Sequence, residues 1–131
     1  MKLFGPKSTN TIGQRGENIA VNHLKKQGYA IVATNFKNDH GRRLGEIDII
    51  AKEKDCLVFI EVKTRIASRD CLVIPEENIN KSKLHKLNKI ISFYLKKHNL
   101  WSEPHRIDAI SILINKETGK FKLSHLENIF I

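Results

Sequence analysis

The stretch GEIDIIAKEKDCLVFIEVKTR, residues 45 to 65, sets Asp48, Glu61 and Lys63 inside runs that otherwise have the composition of buried β-strand. EIDIIA and LVFIEVK are rich in β-branched and aromatic residues, and the charged KEKDC between them has hairpin length, so the two runs predict an antiparallel pair. Strand side chains alternate between faces. Glu61 and Lys63 therefore emerge on one face of LVFIEVK, with Val58, Ile60 and Val62 on the other, while Glu46 and Asp48 share a face of EIDII opposite Ile47 and Ile49. Closing the hairpin about KEKD brings Asp48 within about a residue of the position opposite Glu61.

Two carboxylates side by side repel unless a positive charge sits between them, and a hard divalent cation such as Mg²⁺ prefers such oxygen ligands. A metal there lowers the pKa of a bound water and holds a phosphate oxygen, and Lys63 is placed to orient that water or offset charge on the phosphorane. These are the parts that phosphodiester hydrolysis needs. The competing reading is a hairpin with one solvated face, on which Glu46, Asp48, Glu61 and Lys63 form cross-strand pairs in water. Against it, Leu57, Phe59 and Ile50 lie on the same faces as the charged residues.

Outward from the hairpin, residues 12 to 27 place Ala20 and Leu24 four apart and Ile12 and Ile19 seven apart, and Gly28 follows as a stop, which predicts a helix. YAIVATNF, 29 to 36, predicts a strand, and KNDHGRRL, 37 to 44, a polar loop carrying Arg42 and Arg43. Residues 64 to 78 read as irregular, with Pro75, Glu76 and Glu77 as the approach to a helix from about Ile79 to His98. Leu84, Leu87, Ile91, Tyr94 and Leu95 mark its apolar face; Lys86, Lys89, Lys96 and Lys97 fall opposite, and Lys83 lies between, either reaching over the sheet towards a phosphate or standing as a solvated lysine at the helix start. RIDAISILI then predicts a strand, TGK a turn and FKL a short edge strand, with NIFI docking on the body. The order predicts an α/β domain with a mixed sheet.

The 131 residues suit a single domain. Lys and Arg number 23 against 14 Asp and Glu, and the resulting +9 favours polyanions, above all nucleic acid. Solubility alone is the competing explanation of that charge, and an anionic membrane surface a weaker one. No run approaches the ~18 apolar residues of a membrane span, and MKLFGPKSTN lacks the apolar run of a signal peptide, so a cytoplasmic protein is expected. Cys56 and Cys71 lack CxxC spacing and read as reduced structural thiols. The six histidines show no metal-ligand spacing; His23, His85 and His98 read as surface or core filler, and zinc is not implied.

GEIDIIAKEKDCLVFIEVKTR resembles the signature of the bacterial YraN family, which is similar to archaeal Holliday-junction resolvases and belongs to the PD-(D/E)XK nuclease superfamily. GENIAVNHLKKQGY at 16 to 29 resembles the family's first helix, and KSKLHKLNKIISFYL with RIDAISI its second helix and following strand, so the resemblance covers about residues 13 to 114. It implies a restriction-endonuclease-like single domain over 1–131, a mixed central sheet flanked by helices with an αβββαβ core, and a short C-terminal addition over 115–131. It assigns Asp48 and Glu61 as metal-binding acids, the Val62 carbonyl as a further ligand, Lys63 as the motif lysine, and Glu17 as the first-helix acid aimed at the metal. Glu17 also lies three before Ala20 and seven before Leu24, on the core-facing side. Ile47 stands where the superfamily's name-giving proline would be.

The expected function is a Mg²⁺- or Mn²⁺-dependent endonuclease acting on DNA, with branched recombination or repair intermediates as the suggested substrates and a homodimer suggested by the resolvase similarity. Arg42, Arg43, Arg65, Lys83, Lys86 and Lys89 are the expected nucleic-acid contacts, Lys83 also aligning with a lysine common in the family's second helix. The alternatives are a non-catalytic nucleic-acid-binding protein that keeps the nuclease fold, and an interaction protein whose lysine-rich helix meets an acidic partner.

Overall fold

The computed structural model describes residues 11–67 and 80–129. Helix α1 (Ile12–Lys26) starts where the Thr11 side chain accepts the Gln14 N–H at 3.0 Å, and it stops before Gly28, whose φ of +93° suits only a residue without a Cβ. Strands β1 (Ala30–Lys37), β2 (Glu46–Glu53) and β3 (Cys56–Ala67) follow, then α2 (Lys81–Lys97), β4 (His105–Asn115) and β5 (Phe121–Leu126). The sheet runs β1-β2-β3-β4-β5; β3 and β4 are parallel, the other neighbours antiparallel. A parallel neighbour needs a crossover, and α2 lies in that connection.

The expected α/β class and mixed sheet are present, with local corrections. Glu53 pairs with Cys56, so the hairpin turn shrinks to Lys54 and Asp55, with Lys54 at φ +54°. Residues 64 to 67, expected to be irregular, are strand, because β3 keeps pairing with β4 as far as Ala67 and Asn115. Helix α2 begins at Lys81, with the Asn80 side chain accepting the Lys83 N–H at 2.8 Å. The expected helix start at Ile79 lies outside the described residues, as do the approach through Pro75, Glu76 and Glu77, Cys71, and the stretch MKLFGPKSTN. FKL lengthens to Leu126, and of NIFI, Ile129 donates its N–H to the Ile107 carbonyl at 2.7 Å while Phe130 and Ile131 lie outside the described residues.

The sheet is apolar on both faces. Ala20 and Leu24 of α1 pack with Ile49, Ala51, Val58, Ile60, Ile110, Ile112 and Ile114. On the other face Leu87, Ile90, Ile91, Tyr94 and Leu95 of α2 cover Ile47, Ile50, Leu57 and Phe59. Each fully buried aliphatic side chain contributes roughly 1.5–3 kcal/mol, which is why the central strands carry so few polar residues.

Ile47 and Ile49 do not share a face, contrary to the strict alternation expected of EIDII: Ile47 joins the α2 cluster and Ile49 the α1 cluster. The neighbouring strand breaks its own alternation at the same level. Asn35 adopts φ +53° inside β1, and the β1/β2 pairs pass from Thr34↔Ile49 to Phe36↔Ile47 across it. Ala33 and Phe36, three apart, consequently both face α2. The β2/β3 ladder ends at the same level, its last pair being Ile49↔Ile60. Asp48 therefore sits at a kink, opposite Asn35 and just beyond the last β2/β3 pair.

Strand β4 carries a second charged group. Asp108 is fully buried and accepts from Arg106 Nε at 3.0 Å, His125 Nε2 at 2.8 Å and the Asn128 N–H at 2.8 Å. Burial alone would raise its pKa, but these hydrogen bonds outweigh it and hold the carboxyl below its usual range. Arg106 also reaches Glu53 and the Tyr29 hydroxyl, so this network ties β2, β4, β5 and the entry to β1 together.

Candidate functional site

Beyond the last β2/β3 pair, the side chain of Asp48 replaces backbone pairing: its Oδ2 accepts the Val62 N–H at 2.8 Å. Asp48 thereby fixes the Val62 peptide, whose carbonyl the sequence resemblance assigns to the metal. The Asp48 and Glu61 carboxyls come within hydrogen-bonding reach of each other, and Asp48 is pushed up from 3.8 to about 7, by burial first and then by the Glu61 and Glu17 charges, against the lowering effect of the Val62 N–H. Glu61 is buried, yet its Oε2 lies 2.7 Å from Lys83 Nζ and 3.4 Å from Lys63 Nζ.

These groups open into a cleft of about 240 Å³ lined by Gly45, Glu46, Asp48, Glu61, Lys83, Lys86 and Leu87. Gly45 lets β2 enter under α2, since a Cβ there would lie 3.3 Å from the Lys86 carbonyl oxygen. A larger cavity of about 330 Å³ lies between Ala67, Leu113 and Phe121; its lining has lysines but no carboxylate, so volume alone does not select the site.

Of the residues singled out in the sequence, Asp48, Glu61, Val62 and Lys63 come together, and Glu17 is close enough to act on Asp48. Glu17 is half-buried, and α1 approaches β3 closely beside it: a Cβ on Gly16 would overlap the Thr64 side chain. Lys83, expected over the sheet, lies on Glu61, and Lys86 lines the cleft. Arg42, Arg43, Arg65 and Lys89 are exposed and line none of it; Arg65 donates to the Thr64 carbonyl. Sequence reasoning left out Asn35, whose amide donates to Glu17 Oε2 at 3.0 Å and Glu46 Oε2 at 3.1 Å, and gave Glu46 no role in the site. The one available signal was an asparagine in a β-branched run, since asparagine tolerates left-handed backbone better than most residues.

Among the described residues, no three His, Cys, Asp or Glu side chains are placed to grip an ion as they stand. The donor set fits a divalent cation in a different way. Asp48 and Glu61 lie within hydrogen-bonding reach of each other, and a hard cation is favoured between two such carboxylate oxygens. No helix of the described residues is long and apolar enough to cross a membrane.

The uncharacterised protein family UPF0102 matches residues 16–112. A UPF0102 protein of Caldicellulosiruptor bescii is 37% identical over 120 residues, covering 91% of this chain and 96% of the relative. One from Clostridium acetobutylicum is 36% identical over 118 residues, covering 90% and 92%, and one from Alkaliphilus oremlandii is 39% identical over 122 residues, covering 91% and 97%. The chain belongs to the UPF0102 family, the YraN family that its hairpin resembles.

Proposed function

We propose that this UPF0102 chain is a divalent-metal-dependent endonuclease with a restriction-endonuclease-like fold, hydrolysing phosphodiester bonds in cytoplasmic DNA, with branched intermediates as its substrate class. The observation that carries this reading is the pair of adjacent carboxyls, Asp48 and Glu61, one of them pushed up to about 7, in a cleft that also holds Lys83 and Lys86, with Lys63 Nζ 3.4 Å from Glu61. An acid perturbed by burial and a neighbouring carboxylate in a cleft is a candidate for a functional site. A protein of +9 net charge also draws the polyanion that such a site would cut.

Asp48 and Glu61 would hold Mg²⁺ or Mn²⁺ with the Val62 carbonyl, and Glu17 would support them from α1. When bound, the cation supplies charge neutralisation at a phosphate oxygen and a more acidic water. Lys63, whose Nζ already lies beside Glu61, orients the attacking water and offsets charge where the pentavalent phosphorus gains it. Lys83 and Lys86 face the same cleft and would receive the flanking phosphates. Leu87 and the apolar strands behind the acids make that wall of the cleft apolar, which lowers the screening of charges against it.

One observation favours the non-catalytic binding protein: Lys83 occupies a Glu61 oxygen at 2.7 Å and satisfies it without any metal. Cleavage and binding measured on the same linear, flapped and four-way DNA separate the two. Lys63→Ala and Glu61→Gln should each lower cleavage by about 100-fold or more while leaving affinity within a few-fold. Equal residual cleavage by wild type and both variants would sink the catalytic reading in favour of the binding protein.

A further inference from the structure

Asn35 is the described non-glycine residue whose left-handed backbone lies inside a strand directly opposite a candidate ligand, Asp48. Its side chain bridges two carboxylates from different elements: Glu17 on α1 and Glu46 at the start of β2. Glu17 already acts on Asp48 through its charge, and Glu46 lines the cleft with Asp48 and Glu61. Acids from α1, β2 and β3 thus stand about the cleft without converging as a ready-made cage, and Asn35 is the neutral donor set between two of them.

Without a donor there, Glu17 and Glu46 would repel and swing into solvent, since Glu46 is exposed and Glu17 only half-buried. Asn35 takes Oε2 of each and leaves Oε1 of each without a donor among the described residues. An amide can make both bonds at once because its nitrogen carries two hydrogens, and being uncharged it does not neutralise the acids it holds. A lysine in its place would hold them equally well but would cancel the negative field that attracts a cation.

Resting on the metal-centre reading above, we propose that Asn35 is a positioning residue of that centre, acting in two separable ways. Its amide spaces Glu17 and Glu46 around Asp48, and its left-handed backbone turns Asp48 out of the ladder toward Val62. The two roles come apart by substitution. Asn35→Gly keeps the backbone conformation and loses the amide, whereas Asn35→Ala loses the amide and also strains the backbone. Both hydrogen bonds are exposed, so losing them alone costs little stability.

The experiment is a Mn²⁺ titration followed by the electron paramagnetic resonance of the free ion, with metal-free melting curves on the same samples. Wild type should bind Mn²⁺. Asn35→Gly should bind about tenfold more weakly, in the range expected when a group that orients metal ligands is removed, with a metal-free melting point close to wild type. Adding Glu17→Gln to Asn35→Gly should cost less than Glu17→Gln costs in the wild type, because the two act as one unit. Asn35→Ala should lose Mn²⁺ affinity and melting temperature together. Wild-type affinity in a folded Asn35→Gly chain overturns the positioning role and leaves the metal centre standing. No binding by wild type at any accessible Mn²⁺ concentration overturns both.

Discussion

Replacing Asp48 by asparagine removes one carboxyl from the adjacent pair while leaving its structural hydrogen bond in place. Asp48 accepts the Val62 N–H at 2.8 Å; the asparagine carbonyl can accept the same bond and present its NH₂ to Glu61 as a donor. In the folded chain Asp48 is pushed from 3.8 to about 7, by burial first and by Glu61 next, whereas in the unfolded chain it titrates near ~3.9. Between those two values the folded chain holds a proton that the unfolded chain has released. Stability contributed by Asp48 is therefore greatest at the acid end of that window and is lost as pH rises through it.

A shift of roughly three units at ~1.4 kcal/mol each sets a ceiling of about 4 kcal/mol for that loss. Water reaching the cleft screens the charges, so the effect of relieving it should be about 1–3 kcal/mol, or ~5–10 °C in melting temperature for a chain of this size. The assay is thermal unfolding by circular dichroism from pH 4.5 to 8.5 in the presence of a chelator. Wild type and Asp48→Asn should melt together at the acid end, and the variant should melt higher at the alkaline end. Millimolar Mg²⁺ should then raise the wild type and not the variant, because a ligand stabilises only the state that binds it. A difference in melting temperature that stays constant across the pH range would refute the reasoning, since only titration at Asp48 makes it vary.

Three further outcomes follow from the packing and the charge. Gly16→Ala forces a Cβ into the Thr64 side chain and should cost about 1–3 kcal/mol, partly recovered by Thr64→Ala in the double variant and read from denaturant midpoints. Asp108→Ala leaves Arg106 and His125 without their shared buried partner and should destabilise by about 3 kcal/mol or more, with loss of cooperative melting as the extreme case. DNA affinity should fall roughly 100-fold between 50 and 200 mM salt if about four phosphates are contacted, and reversal of Lys86 and Lys89 to glutamate should flatten that slope; an unchanged slope moves the interface to Arg42, Arg43 and Arg65.

The hairpin, both helices and the β4 strand were legible because their patterns are local: apolar spacing along the helices, β-branched runs in the strands and Gly28 as a stop; the caps Thr11 and Asn80 emerge only in the structure. The length of β3 was not, because residues 64 to 67 become strand only through parallel pairing with β4, some fifty positions further on. Asp48, Glu61 and Lys63 were legible as charges out of place in apolar strands. Lys83 on Glu61 was not, since its reach depends on how α2 lies over the sheet. The meeting of His125 with Asp108, and of His23 with His125 at 3.4 Å, joins residues too far apart in sequence for any spacing rule to connect them.

The failure of alternation at Asp48 also explains why the acid stands where it does. A strict two-residue alternation in EIDIIA would put Ile47 and Ile49 on one face and Asp48 with Ile50 on the other, leaving a carboxylate under α2 in the apolar layer of Leu87 and Ile90. Burying an unpartnered carboxylate there would cost several kcal/mol. The change of face opposite Asn35 removes that conflict: Ile47 takes the place beneath α2, and Asp48 accepts the Val62 N–H where the strands part. Three isoleucines at 47, 49 and 50 supply both faces across the swap, so the run tolerates the change of face without losing burial. The carboxyl of Asp48 consequently remains beside Glu61, partly desolvated and still reachable from the cleft, the environment in which a proton or a cation is held most strongly between two acids.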